Sequence, residues 1–344
     1  MRLSDFDYYL PEALIAQEPL GERDASRMLV VDRKTGNWQD QSFRHFVDYV
    51  QPNDLVVVNN SRVIPARLIG RRKETGGRVE IFLVREFQTL MWEALVRPGA
   101  RLHIGEKVVF GDGELEAELL DEPGTELRRV RFECGGVFEE VLSAVGSTPL
   151  PPYIKRPNGV LLADNERYQT IYSKPRGAIA APTAGLHFTA EVLESLRSRE
   201  QLVEITLHVG YGTFEPVRVE DVSEHRVSSE RFELSSEAAE RIEEARARGG
   251  RIIAIGTTTT RALESASTED GKVNAGSATA TLTITPGYHF RVVDALLTNF
   301  HLPQSSLLIL VSTFAGRELT LAAYKHAVEE RYRFYSYGDC MLIV

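Results

Sequence analysis

The pattern of hydrophobic and polar positions divides the chain into two textures. Between about Arg67 and Glu133, apolar and polar residues alternate in short runs at 78–84, 91–96, 107–110, 115–120 and 127–132. A period of two puts the apolar side chains on one face of a strand. Asp112-Gly113 lies between two of these runs and suits the backbone of a tight hairpin turn. Five or six such strands closed by tight turns predict a small antiparallel β-barrel. A helix follows on Val137, Phe138, Val141, Leu142 and Val145, and Leu150-Pro151-Pro152-Tyr153 turns the chain stiffly back.

Elsewhere, solid apolar runs alternate with amphipathic stretches. The runs at 55–58, 203–209, 251–255 and 296–301 read as strands, 178–181 reads as the end of another, and 307–311 has the length of a buried strand. Thr189 is placed to cap a helix carrying Val192, Leu193 and Leu196. Ser236 caps one that runs to Arg248 and stops at Gly249, and Thr320 caps one built on Ala323, Tyr324, Ala327 and Val328. Strand alternating with helix predicts an α/β fold, with a mixed, largely parallel sheet. The two textures place this α/β domain at 1–66 and 151–344, with the β-barrel domain inserted at 67–150.

Composition narrows the class. Over 344 residues, 43% hydrophobic content supplies an ample core. The formal net charge of -9 argues against a globally basic nucleic-acid binder, while leaving room for a local basic patch. No apolar run approaches the roughly 20 residues of a membrane span. The opening MRLSDFDYYLPEALIAQ lacks the basic region and apolar run of an export signal. Cys134 and Cys340 are far apart and without metal-like spacing. The expectation is a cytoplasmic protein with no membrane association, disulfide framework or metal.

Candidate chemistry collects at predicted strand ends, where open α/β sheets bind ligands. The stretch GAIAAPTAGLHFT, from Gly177, holds Thr183, Gly185 and His187; the next mouth holds His208, Gly210 and Gly212; and Asn299 precedes His301. Each histidine taken alone reads as a core residue, but their recurrence at glycine or proline turns points to a shared site. Gly256 opens into four threonines and Arg261, a helix start able to hold an anion, without the lysine of a P-loop or the glycine spacing of a dinucleotide fingerprint. Arg62, Arg67, Arg71, Arg72 and Lys73, with Arg128, Arg129 and Arg131, read either as phosphate contacts or as a charged barrel exterior.

Seven long blocks in order carry a resemblance. They are VVNNSRVIPARL from Val57, LPPYIKRP from Leu150, AAPTAGLHF from Ala180, TLHVGYGTFEPVRV from Thr206, IAIGTTTTRALES from Ile253, VDALLTNFHLP from Val293 and the terminal YRFYSYGDCM. Over essentially its whole length the chain resembles the S-adenosylmethionine:tRNA ribosyltransferase-isomerases of queuosine biosynthesis. It departs from the family's usual pattern at Val227-Ser228-Ser229-Glu230, where a Met-His-Ser-Glu run is common, and at Tyr211 and Cys340, where alanine is common.

The resemblance implies a monomeric enzyme with no prosthetic group, using S-adenosylmethionine as ribosyl-donating co-substrate. Its partner would be a tRNA with a GUN anticodon carrying 7-aminomethyl-7-deazaguanine at the wobble position. On this reading His187, His208 and His301 include the base and acid. Thr183, Gly185, Gly210, Gly212, Thr257, Thr258, Asn299, Tyr337 and Asp339 would bind substrate, and Arg62, Arg67, Arg71, Arg72 and Lys73 would bind tRNA. Two other classes stay open at this point: a nucleosidase or methyltransferase acting on the same sulfonium, and a non-catalytic tRNA-binding protein.

Overall fold

In the computed structural model, which describes residues 1–157 and 162–344, the run at 55–58 becomes the strand Leu55–Asn59, buried at every position. Alternate side chains go to opposite faces. Leu55 and Val57 enter a core with Ile242, Ala262 and Leu263, and Val56 and Val58 enter a second core with Phe43, Phe46, Phe188 and Leu196. A strand covered on both faces has no use for a polar position, which explains the unbroken apolar run.

Around it lies a nine-stranded mixed sheet in the order Gly276–Ala280, Glu230–Leu234, Leu202–Leu207, Leu55–Asn59, Ile252–Ile255, Ala295–Asn299, Cys340–Ile343, Arg27–Asp32, Asn37–Ser42. The four strands from Leu202–Leu207 to Ala295–Asn299 are parallel; antiparallel pairs extend the sheet on both sides, and Cys340–Ile343 runs parallel to Arg27–Asp32. The hairpin Arg27–Asp32/Asn37–Ser42 has no counterpart among the predicted strands; Asn37–Ser42 is an outer strand with a polar sequence and no burial period to read.

The inserted barrel forms as its alternation predicts. Strands Arg67–Arg72, Arg78–Gln88, Met91–Arg97, Arg128–Cys134, Leu115–Leu119 and Lys107–Phe110 follow one another around it, and pairing of Arg71 with Val109 closes the ring. Gly70 sits at the closure, where an added Cβ would lie 2.6 Å from both the Val109 carbonyl and the Phe110 ring. Gly146–Ser147 returns beside the first barrel strand, pairing Gly146 with Leu68 and Ser147 with Arg67.

Several local expectations are corrected. The run at 307–311 is helical, within Ser306–Ala315. This helix is apolar on nearly all sides because most of it is buried, so the helical period vanishes from its sequence. Ser235, not Ser236, caps Ser236–Ala247, through Oγ accepting from Ala238 N. Thr320 lies inside Arg317–Glu329, its hydroxyl bonded back to the Gly316 carbonyl, and Gly316 at φ 90° starts that helix. The end of the run at 178–181 is irregular. Only Arg176–Ala178 is strand, paired with Arg62–Val63 in a separate two-stranded sheet. Among the described residues no single helix is long and apolar enough to cross a membrane.

Where the central strand ends, a side chain takes over its ladder. The Asn59 carboxamide donates to the Leu207 carbonyl at 2.9 Å and accepts from Leu207 N at 3.0 Å and from Ser61 N at 3.1 Å. Asn59→Leu keeps the branched shape of the side chain and strands these buried backbone groups. We expect it to cost about 3 kcal/mol or more in urea unfolding, from three orphaned groups at ~1–3 kcal/mol each.

Candidate active site

Two adjoining chambers open at the carboxyl ends of the parallel strands. The larger, of about 320 Å³, is lined by residues including Thr257, Thr258, Glu230, Arg261, His225 and Ser306. The smaller, of about 60 Å³, lies against Thr183, Thr298, Asn299 and His301. Tyr153, Thr213, Thr257, Thr258, Leu307 and Tyr335 line both, so the chambers share a wall. Helices Thr257–Ala266 and Ser306–Ala315 start at this wall. Their unpaired N–H groups and positive dipole ends give it a polarity that favours negative or oxygen-bearing groups.

The three histidines singled out from the sequence do not converge. His301 reaches the small chamber, with Nε2 2.7 Å from Thr298 Oγ1, and burial pushes its pKa down to about 3. His187 has both ring nitrogens engaged inside the protein, with Ser26 Oγ 2.8 Å from Nδ1 and Asn299 Oδ1 3.2 Å from Nε2. The Asn299 amide nitrogen donates to the Tyr335 carbonyl at 2.9 Å, which leaves Oδ1 to accept from His187 Nε2–H. Burial lowers the His187 pKa to about 4. His208 lines a different cleft, between barrel and sheet, beside Trp92 and Tyr211. Its ring packs on Gly177, where an added Cβ would meet Nδ1 at 2.7 Å. Burial, with the nearby Arg231 charge, lowers its pKa.

The other predicted residues divide in the same way. Thr183 and Asn299 line the small chamber, Gly212 the large one, and Thr257 and Thr258 both. Gly210 contributes its N–H to Glu230 Oε1 at 2.8 Å. Gly185 serves packing, since a Cβ there would fall 2.0 Å from the Tyr172 hydroxyl. Tyr337 sits edge-on to Tyr168 with its hydroxyl 3.4 Å from Asp164. Asp339 is a buried clip that accepts from Arg27 N at 2.9 Å and Arg333 N at 2.8 Å. Neither Tyr337 nor Asp339 lines either chamber.

The basic cluster is largely neutralised. Arg67 pairs with Glu80 at 2.9 Å, Arg72 with Glu106 at 3.3 Å and Lys73 with Glu116 at 2.6 Å, while Arg62 and Arg71 are exposed. Arg128 points inward, buried against Asp121 at 2.7 Å. Arg129 and Arg131 share the outer face, as alternation predicts, and Arg131 pairs with Glu118 at 2.5 Å.

Two pairs in the large chamber were not singled out as site residues. Glu230 and Arg261 meet at 2.6 Å, and the guanidinium also bonds the carbonyls of Leu282, Ser228 and Ala280. Burial works against both charges, raising the pKa of Glu230 and lowering that of Arg261, and their contact opposes each shift. His225 Nε2 lies 2.7 Å from Ser306 Oγ. Of the four, only Arg261 lies in one of the resembling sequence blocks, and no local spacing links partners that are 31 and 81 positions apart.

The queuosine biosynthesis protein family model matches residues 3–343. The chain belongs to this family. It is 52% identical over 345 residues to the S-adenosylmethionine:tRNA ribosyltransferase-isomerase of Pelotomaculum thermopropionicum, and that match covers all of both chains. It is 50% identical, with the same coverage, to the enzyme of that name from Desulforamulus reducens. The crystal structure of the S-adenosylmethionine tRNA ribosyltransferase of Thermotoga maritima, 35% identical, is similar at a TM-score of 0.55 over 99% of this chain and 100% of that one. Ser228, Glu230 and His225 all line the large chamber.

The neutral burial of His187 and His301 gives a signed pH dependence. An unfolded histidine takes up a proton near pH 6.5, whereas these two resist until about 4 and 3. Their contribution to stability is complete above pH 6.5 and is lost as the pH falls. Urea unfolding between pH 6.5 and 5 is expected to show a loss approaching about 1.4 kcal/mol per pH unit for each histidine, and His187→Gln should remove one of the two contributions.

Proposed function

We propose that this chain transfers the ribosyl group of S-adenosylmethionine to 7-aminomethyl-7-deazaguanine in tRNA and isomerises it, giving epoxyqueuosine and releasing adenine and methionine. The observation that carries the reading is full-length identity of 50–52% to enzymes named for ribosyl transfer from S-adenosylmethionine to tRNA. A chamber of about 320 Å³ with a polar inner annex suits a small nucleoside-bearing molecule.

The chemistry makes four demands. A base must remove a proton from the ribose 5′ carbon, which the adjacent sulfonium acidifies. Adenine must depart, the acceptor amine must be deprotonated, and the ribose must be held while both happen. Methionine departs as a neutral thioether, so the balance needs no electron donor or acceptor. Thr183, Thr257, Thr258 and His301 would hold the ribose or purine, with Asn299 fixing the wall through its bonds to His187 and Tyr335. Gly212 leaves room beside Ser228, where a Cβ would close to 2.6 Å.

The acceptor would be the wobble nucleotide of a GUN anticodon, and the working form a cytoplasmic monomer. Arg62 and Arg71 are the cations of the predicted set free enough to meet phosphate, whereas Arg67, Arg72 and Lys73 would first have to leave carboxylates.

The deciding experiment incubates the chain with S-adenosylmethionine and an anticodon stem-loop bearing 7-aminomethyl-7-deazaguanine. A mass gain on that nucleoside, matched mole for mole by adenine, is expected. Adenine released without a modified nucleoside would leave a sulfonium-cleaving enzyme, and RNA binding without consumption of S-adenosylmethionine a binding protein. RNA affinity should fall linearly in log–log against salt, and Arg62→Ala should lower that slope by about one if the residue meets a phosphate. An unchanged slope removes Arg62 from the interface.

A further inference from the structure

Among the described residues, the titratable groups lining the large chamber are Tyr153, Glu215, His225, Glu230, Arg261 and Tyr335. Most are unsuited to accept a proton from a bound molecule. Glu230 has Oε1 on Gly210 N–H and Oε2 on Arg261. Arg261 has no acceptor lone pair. Burial pushes the ionisation of both tyrosines up. Glu215 stands exposed at the rim, accepting from Ser228 Oγ at 3.2 Å.

His225 is different. It is buried, at 8% exposure, and lines the chamber from the end of the turn Val222–Glu224, where its own N–H is bonded to the Val222 carbonyl at 3.2 Å. Its ring partner Ser306 is the first residue of a ten-residue helix whose cap, Ser305, accepts from Leu308 N at 3.3 Å. Two separately anchored elements therefore fix the imidazole, and Ser306 engages Nε2.

We infer that His225 is the proton acceptor of this chamber and that Ser306 is the residue that positions its ring. The inference rests on the proposed reaction. With Nε2–H donating to Ser306 Oγ, the Nδ1 lone pair is the base. The C5′–H bond of the ribose breaks, the proton passes to Nδ1, and the electron pair stays on C5′ beside the positive sulfur. The resulting imidazolium keeps its bond to Ser306, and no other reactant enters the step. Competing histidines are placed elsewhere: His187 is engaged on both nitrogens, His301 lines the small chamber and not the large one, and His208 stands in the cleft beside the barrel.

The test uses the full chain, S-adenosylmethionine carrying deuterium at C5′, and the stem-loop bearing 7-aminomethyl-7-deazaguanine. His225→Gln is expected to lower kcat by about 100-fold or more while the KM for S-adenosylmethionine stays within about threefold. The kinetic isotope effect should grow, because proton removal becomes the slow step. Ser306→Ala should lower kcat less, with the same rise in isotope effect, and imidazole should restore part of the turnover of His225→Ala. A His225→Gln enzyme within about threefold of full turnover overturns the assignment. So does one whose turnover falls with an unchanged isotope effect and a raised KM, since that describes a residue that only shapes the chamber. Failure of the unsubstituted chain to modify the RNA overturns the reaction itself, and so is distinct from failure of the assignment.

Discussion

The carboxamide of Asn59 is the contact on which the geometry of the site depends. By bonding both polar groups of Leu207, it lets one strand continue to be held after its neighbour has turned away. The departing chain then pairs Arg62–Val63 with Arg176–Ala178, and the segment after Ala178 is led over the carboxyl edge of the sheet, where Ala180 to Ala184 wall the small chamber. A hydrophobic residue at Asn59 would suit the two cores as well as its neighbours do. It could not serve the ladder and the turn at once.

The cavity wall is held by polar groups whose partners are other parts of the wall. His187, Asn299 and the Tyr335 carbonyl form one chain of hydrogen bonds. Tyr335, at φ 75°, is held in a region that bulky residues seldom adopt, and it faces both chambers. Glu230, Arg261 and the Gly210 amide form another linked group. Such networks cost desolvation, and their members are committed to one another, which rigidifies the wall while leaving few groups available to a ligand.

The sequence showed the fold more plainly than the site, for physical reasons. Barrel strands exposed on one face keep a period of two, and strands buried on both faces keep solid apolar runs. Ser306–Ala315 escaped because near-complete burial erases the same period in a helix. Residue types at strand ends pointed to the edge of the sheet where the chambers open, yet only His301 of the three histidines stands at the chambers, because a buried histidine and an accessible one look alike in sequence. The basic cluster hides its partners in the sequence: Glu80, Glu106 and Glu116, from elsewhere in the barrel, pair with Arg67, Arg72 and Lys73. His225 and Ser306 are ordinary residues until folding brings them to 2.7 Å.

The barrel leaves and rejoins the rest of the chain at neighbouring rungs, with Gly146 opposite Leu68 and Ser147 opposite Arg67. Seen from the nine-stranded sheet, the whole excursion has the ends of a hairpin. A module attached in this way could be acquired, lengthened or exchanged during descent without rethreading its host, because the host meets the same two adjacent backbones whatever lies between them. The junction itself is the constrained part: a Cβ on Gly146 would fall 2.3 Å from the Pro65 carbonyl. Variation among relatives is thus expected to spare this seam while loops farther around the barrel diverge.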